Sequence, residues 1–160
     1  MFTISISDAS SDNFYEELIS TAKALVEGEP DAIANMANIS ALIWQYLPDL
    51  NWAGFYRRIG EELVLGPFQG QTACIRIALG KGVCGAAAIT GNSQRIADVD
   101  AFEGHIACDP RSRSELVIPV LKNNYVVAVL DLDSPKPDRF TSDDQVGLEK
   151  LIGEISHALS

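Results

Sequence analysis

Residues 115–134, ELVIPVLKNNYVVAVLDLDS, decide the fold. Two apolar runs rich in β-branched residues, Glu115 to Leu121 and Tyr125 to Asp133, flank Lys122-Asn123-Asn124. The pattern predicts two strands joined by a turn and central to a sheet. Alternation puts Val127, Val129, Asp131 and Asp133 on one face, with Ala128, Leu130 and Leu132 on the other. Glu115 opens the partner strand, so three carboxyl groups converge at one end of the sheet. Either the strand leaves the core there and the acids are solvated, or they flank a pocket where like charge and partial burial keep one protonated.

The flanking sequence fits around this pair. Trp52 to Ile59 and Glu62 to Phe68, linked by Gly60-Glu61, predict a hairpin. Cys74 to Leu79 alternates around Arg76 as a half-buried antiparallel strand does. Gly80 to Gly91 contains a short helix, Arg95 to Val99 a short strand, and Asp100 to Arg113 a polar loop. Helices are predicted over residues 11–27, where Phe14, Leu18, Ala22 and Leu25 are helically spaced, and over residues 31–47, between Pro30 and Pro48. A last helix opens with Thr141 as N-cap and Asp144 at N3, then puts Leu148, Leu151, Ile152, Ile155 and Leu159 on one face. The sum is an α+β architecture, helices packed on a central antiparallel sheet, with residues 1–160 forming one domain.

A chain of 160 residues with 47% hydrophobic content can fill such a core without staples. Its net charge of −10 repels phosphate backbones and anionic membranes, so no nucleic-acid or membrane partner is expected. The segment MFTISISDASSDNF lacks a basic region followed by an apolar run, and no stretch reaches the ~18 apolar residues of a membrane span. A soluble, cytoplasmic protein is the expectation.

Cys74, Cys84 and Cys108 are an odd number, and no CxxC pair occurs among them. A disulfide framework cannot use all three, and no zinc-type spacing exists, so neither metal nor bound cofactor is expected. Gly80-Lys81-Gly82-Val83-Cys84-Gly85 matches the dinucleotide pattern GxGxxG. Arg76 interrupts the strand before it, however, and the helix to Gly91 is too short to cross a sheet in a βαβ unit. What remains is Cys84 near a helix start, where a thiol pKa can be lowered. Cys108 lies in a polar loop with His105, which reads as an ordinary loop histidine, while His157 reads as surface. Trp52 and Tyr56 share a strand face across Gly54, whose missing side chain would leave a concavity between two aromatics. That arrangement suits core packing or an apolar, sulfur-bearing ligand.

Five blocks then stand in a telling order: Asn51-Trp52-Ala53-Gly54-Phe55-Tyr56, Leu65-Gly66-Pro67-Phe68-Gln69-Gly70, Gly80 to Gly85, Gly104-His105-Ile106-Ala107-Cys108-Asp109, and Leu130-Asp131-Leu132-Asp133-Ser134. With all three cysteines at matching spacing, the chain from about residue 30 onward resembles the free methionine-(R)-sulfoxide reductases, which are single GAF domains. The resemblance implies a GAF-like fold and a thiol-dependent enzyme that reduces free methionine sulfoxide and is recycled by thioredoxin as external reductant, with a homodimer left open. It also implies that Cys108 is the nucleophile that becomes a sulfenic acid, that Cys74 resolves it as a disulfide, and that Cys84 is an alternative resolving thiol. Glu115, Asp131 and Asp133 match the family's acids for the sulfoxide oxygen and the ammonium group. Trp52 and Tyr56 match its aromatic walls. The chemistry needs such a set, because a sulfoxide oxygen leaves only when protonated or strongly hydrogen-bonded while a thiolate attacks sulfur.

Two other readings use the same residues. A non-catalytic GAF module could hold a small ligand, but three thiols beside three acids exceed what binding needs. A thiol-based redox sensor could use Cys74 and Cys108 with no substrate pocket.

Overall fold

Hydrophobic alternation on both faces of the central strands demands cover on both sides, and two separate cores supply it. In the computed structural model, which describes residues 4–106 and 108–160, the chain runs α1 (Phe14–Val26), α2 (Ala32–Tyr46), β1 (Trp52–Ile59), β2 (Glu62–Gly70), β3 (Arg76–Ala78), α3 (Gly82–Thr90), β4 (Gln94–Ile96), β5 (Ser114–Lys122), β6 (Tyr125–Ser134) and α4 (Ser142–Ile155). The strands form one six-stranded sheet in the order β3-β2-β1-β6-β5-β4, each neighbouring pair antiparallel.

On one face Ala53, Phe55, Leu116, Ile118, Leu130 and Leu132 pack under α1, α2 and α4. On the other, Trp52, Tyr56, Val117 and Val129 pack with Val83, Cys84, Ala87 and Ala88 of α3. The predicted α+β class and the three long helices hold. Thr141 and Asp144 form a reciprocal capping box at the start of α4, a device worth ~1 kcal/mol. The β5–β6 turn is the two-residue link Asn123-Asn124, both with positive φ (51° and 62°), the backbone that tight hairpins require and asparagine tolerates.

The short edge elements differ from expectation. Of Cys74–Leu79 only Arg76–Ala78 pairs, because β2 offers partners only from Glu62 to Val64 there. The strand expected at Arg95–Val99 is Gln94–Ile96, and Val99–Ala101 is a 3-10 turn. The GxGxxG segment does begin the helix that links opposite edges of the sheet, β3 to β4. Shortness was therefore the wrong reason to set the dinucleotide reading aside. The sound reason is that every strand pair is antiparallel, so no βαβ unit exists among the described residues.

Gly54 also does something other than expected. A Cβ there would lie 2.3 Å from the Cβ of Phe68 and 2.7 Å from its Cα. The space above Gly54 is not a concavity but the seat of β2, which bulges between its pairings with Gly54 and Tyr56 and lays Phe68 parallel on Trp52 at 5.1 Å. Gly54→Ala is expected to cost ~1 to 3 kcal/mol, as overpacking against backbone does. Urea denaturation measures it, and wild-type stability would contradict the close approach.

Candidate active site

The register of the central strands builds the site. Asp133 pairs with Glu115 on one side and Trp52 on the other, while Asp131 pairs with Val117 and Gly54. Glu115, Asp131, Asp133, Trp52 and Tyr56 therefore project from the same face, beneath the start of α3 and the loop before β5. A cleft there has about 520 Å³ of space, part of it open to solvent. Cys84 and Cys108 line it too, as do His105, Asp109 and Ser112.

The acids are not solvated. Glu115 and Asp131 are each only 6% exposed. Burial, reinforced by the neighbouring carboxylates, pushes Glu115 and Asp133 well above the usual carboxylate range. Asp131 rises less, to about 6, because burial is opposed by hydrogen bonds from Cys84 and Glu115. Burial and mutual repulsion thus oppose ionising the three together, Glu115 and Asp133 more than Asp131. Asp131 Oδ1 is buried without a hydrogen-bond partner.

Cys74 and Cys108 form a disulfide with a Cα–Cα distance of 5.5 Å. The two aromatics of β1 hold one of its arms: Tyr56 Oη donates to the Cys74 carbonyl at 2.9 Å, and Trp52 Nε1 donates to the Gln71 carbonyl at 3.1 Å. Their rings stack at 5.7 Å. Trp52 and Tyr56 are therefore anchors of the Cys74 segment as well as walls of the cleft. The other arm is tied by Asn51, whose Nδ2 donates to Asp109 Oδ2 and Ser112 Oγ, both at 3.1 Å. Arg111 pairs with Asp109 at 2.7 Å and holds that carboxyl down at about 2.

Two expectations need correction. Cys84 stands in the first turn of α3, yet its thiol is raised, not lowered, because it is buried beside Asp131 and Glu115. Burial among carboxylates outweighs the helix terminus. His105 is no ordinary loop residue: its Nε2 lies 3.8 Å from Glu115 Oε2, and burial holds its imidazole below the ordinary value. His157 is exposed, as read. Asn51, Asp109 and Ser112 were not singled out, since their roles depend on a loop closing onto β1. Their only sequence signal was position, Asn51 and Asp109 inside the matching blocks.

The GAF domain matches residues 34–160. The free methionine-R-sulfoxide reductase of Escherichia coli is 48% identical over 92% of this chain and 89% of its own length. That of Saccharomyces cerevisiae is 40% identical over 91% and 85%. The chain belongs to the free methionine-R-sulfoxide reductase family of GAF domains. The reductase of Neisseria meningitidis, solved in complex with its substrate, superposes with a TM-score of 0.91 at 36% identity, covering 98% of this chain and 96% of that one. The fold and the family expected from the five blocks are those found.

The acid cluster of this family member makes its stability pH-dependent. Carboxyls raised by burial bind protons in the native state that the unfolded chain has released above about pH 4. Their effect is absent below the unfolded range, and stability falls as pH rises from about 4 through the folded value, about 6 for Asp131. Asp131→Asn is expected to gain on the wild type by up to about 3 kcal/mol between pH 4 and pH 7. Urea denaturation at the two pH values reads this, and an equal offset at both would contradict it.

Proposed function

We propose that the protein reduces free methionine-R-sulfoxide to methionine with its own thiols and is returned to the dithiol state by thioredoxin. One observation carries the reading: a Cys74–Cys108 disulfide stands at a cleft lined by three acids, Glu115 and Asp131 buried and Asp133 half-buried. In the reduced enzyme the Cys108 thiolate attacks the sulfoxide sulfur. A carboxyl proton, from Glu115 or Asp133, goes to the oxygen as the S–O bond weakens. Methionine leaves, reduced by two electrons, and Cys108 is oxidised to the sulfenic acid. The Cys74 thiolate then attacks Cys108 sulfur and expels water, closing the disulfide, and an external dithiol opens it by exchange. The electrons come from thiols, so the cycle needs no bound cofactor.

The cleft also sorts the substrate's ends. Asp131, the least raised of the three acids, suits the ammonium group. The carboxylate belongs at Lys81 and the start of α3, which line the cleft. Lys81 is the N-cap of α3 and makes no side-chain cap bond, leaving first-turn N–H groups free for an anion. The S-methyl group meets Trp52 and Tyr56. Selection for the free amino acid follows, since a peptide-bound substrate lacks both charged ends.

Cys108→Ser is expected to form no methionine, and Cys74→Ser to form about one per enzyme and then stall with thioredoxin. Rapid-quench counting of methionine decides, and full activity in Cys108→Ser would overturn the assignment. Glu115→Gln should lower kcat ~10²- to 10⁴-fold with a smaller change in KM, as loss of a general acid does. The opposite split, a large KM change at unchanged kcat, would make Glu115 a binding group only.

A further inference from the structure

Cys84 is the thiol that the disulfide leaves free, and it is buried. Its sulfur lies 4.0 Å from Glu115 Oε1, and ligand atoms of Cys84, Glu115 and Asp131 all fall within 4.8 Å of one another. Independently of that clustering, Asp131, 6% exposed, holds Oδ1 without a hydrogen-bond partner. A tetrahedral Zn²⁺ with bonds of ~2.3 Å to sulfur and ~2.0 Å to oxygen sets those donors ~3.5 Å apart. Small side-chain rotations close that difference. His105 Nε2, 3.8 Å from Glu115 Oε2, is a nitrogen donor beside that set. No sequence spacing betrays the set, because its members come from α3, β5 and β6.

We propose that Cys84, Glu115 and Asp131, with His105 in reach, form a binding site for a divalent cation of borderline softness, Zn²⁺ above all, that shuts the enzyme by occupying its acid floor. A thiolate donor and three to four ligands suit Zn²⁺ and not Mg²⁺ or Ca²⁺, which take ~6 to 8 oxygens or keep several waters. On binding, the thiol proton and any carboxyl protons pass to solvent. The bound cation removes the protons that the sulfoxide oxygen requires and fills the place of the substrate's polar end. The inhibition rests on the function proposed above, but the binding does not.

The disulfide form makes a clean test, since Cys84 is then the one cysteine able to donate a thiolate. Oxidised protein titrated with Co²⁺ is expected to bind one ion per chain, with a thiolate-to-cobalt charge-transfer band that Zn²⁺ erases and Mg²⁺ does not. Cys84→Ser should lose the band. Asp131→Asn and Glu115→Gln should keep it but weaken Co²⁺ binding about tenfold or more, roughly 1.4 kcal/mol; these two carry the test should Cys84→Ser fail to fold by circular dichroism. Absence of the band, its persistence in Cys84→Ser, or wild-type affinity in both carboxyl variants would overturn the site. In the reduced enzyme Zn²⁺ should raise the KM for methionine sulfoxide. An intact cobalt band without that competition would count against the substrate placement and leave the metal site standing.

Discussion

Everything at the active end of this protein depends on one cross-strand coincidence: acids placed opposite or diagonal to one another on a face that is covered. Asp133 faces Glu115 across the β5–β6 ladder, and Asp131 is two residues away on the same side. Had that face been open, water would solvate three ordinary carboxylates. Instead α3 and the loop before β5 lie over it, and burial adds to like-charge repulsion. Both effects oppose ionising the three together and favour protonated carboxyls. Burying like charges costs stability, and the larger of the two cores lies on the opposite face of the sheet, under α1, α2 and α4.

The disulfide sulfurs are held near those acids by groups on β1 and by Asn51 just before it. Trp52 and Tyr56 hydrogen-bond the backbone at Gln71 and Cys74, and Asn51 ties the loop that bears Cys108. The segment Asn51–Tyr56, β1 and the residue before it, therefore grips both arms of the disulfide, while its neighbour β6 supplies two acids. Gly54 lets β2 come close enough for Phe68 to brace Trp52. The chain that positions the chemistry is thus continuous from Phe68 through Trp52 to the Cys74 segment, all of it hydrogen bonds and ring contacts.

What the sequence made legible follows from range. Strand alternation from Val127 to Asp133 is local, and it placed the acids on one face correctly. The capping box at Thr141 and Asp144 is local, and it fixed the start of α4. The short edges β3 and β4 were misjudged because pairing length depends on what the neighbouring strand offers. Gly54 was misread because alternation says which way a missing side chain points, not which distant residue fills the space. His105 and Asn51 were undervalued for the same cause: each matters through a partner, Glu115 or Asp109, that only the folded loop brings near.

The three sulfurs show how far environment can separate identical side chains. Cys74 and Cys108 lie on irregular, half-buried segments, and Cys108 lines the cleft. Cys84 sits on a regular helix, its thiol raised first by burial and then by the neighbouring Asp131 and Glu115. An anionic thiolate at Cys84 would have to form in a buried place beside Asp131 and Glu115, which both burial and like charge oppose. Separating the attacking thiol from the proton store resolves that conflict, because the attacker needs a negative charge and the store must resist one. In the function proposed above Cys108 is the attacker and the acids are the store, so the two demands fall on different residues.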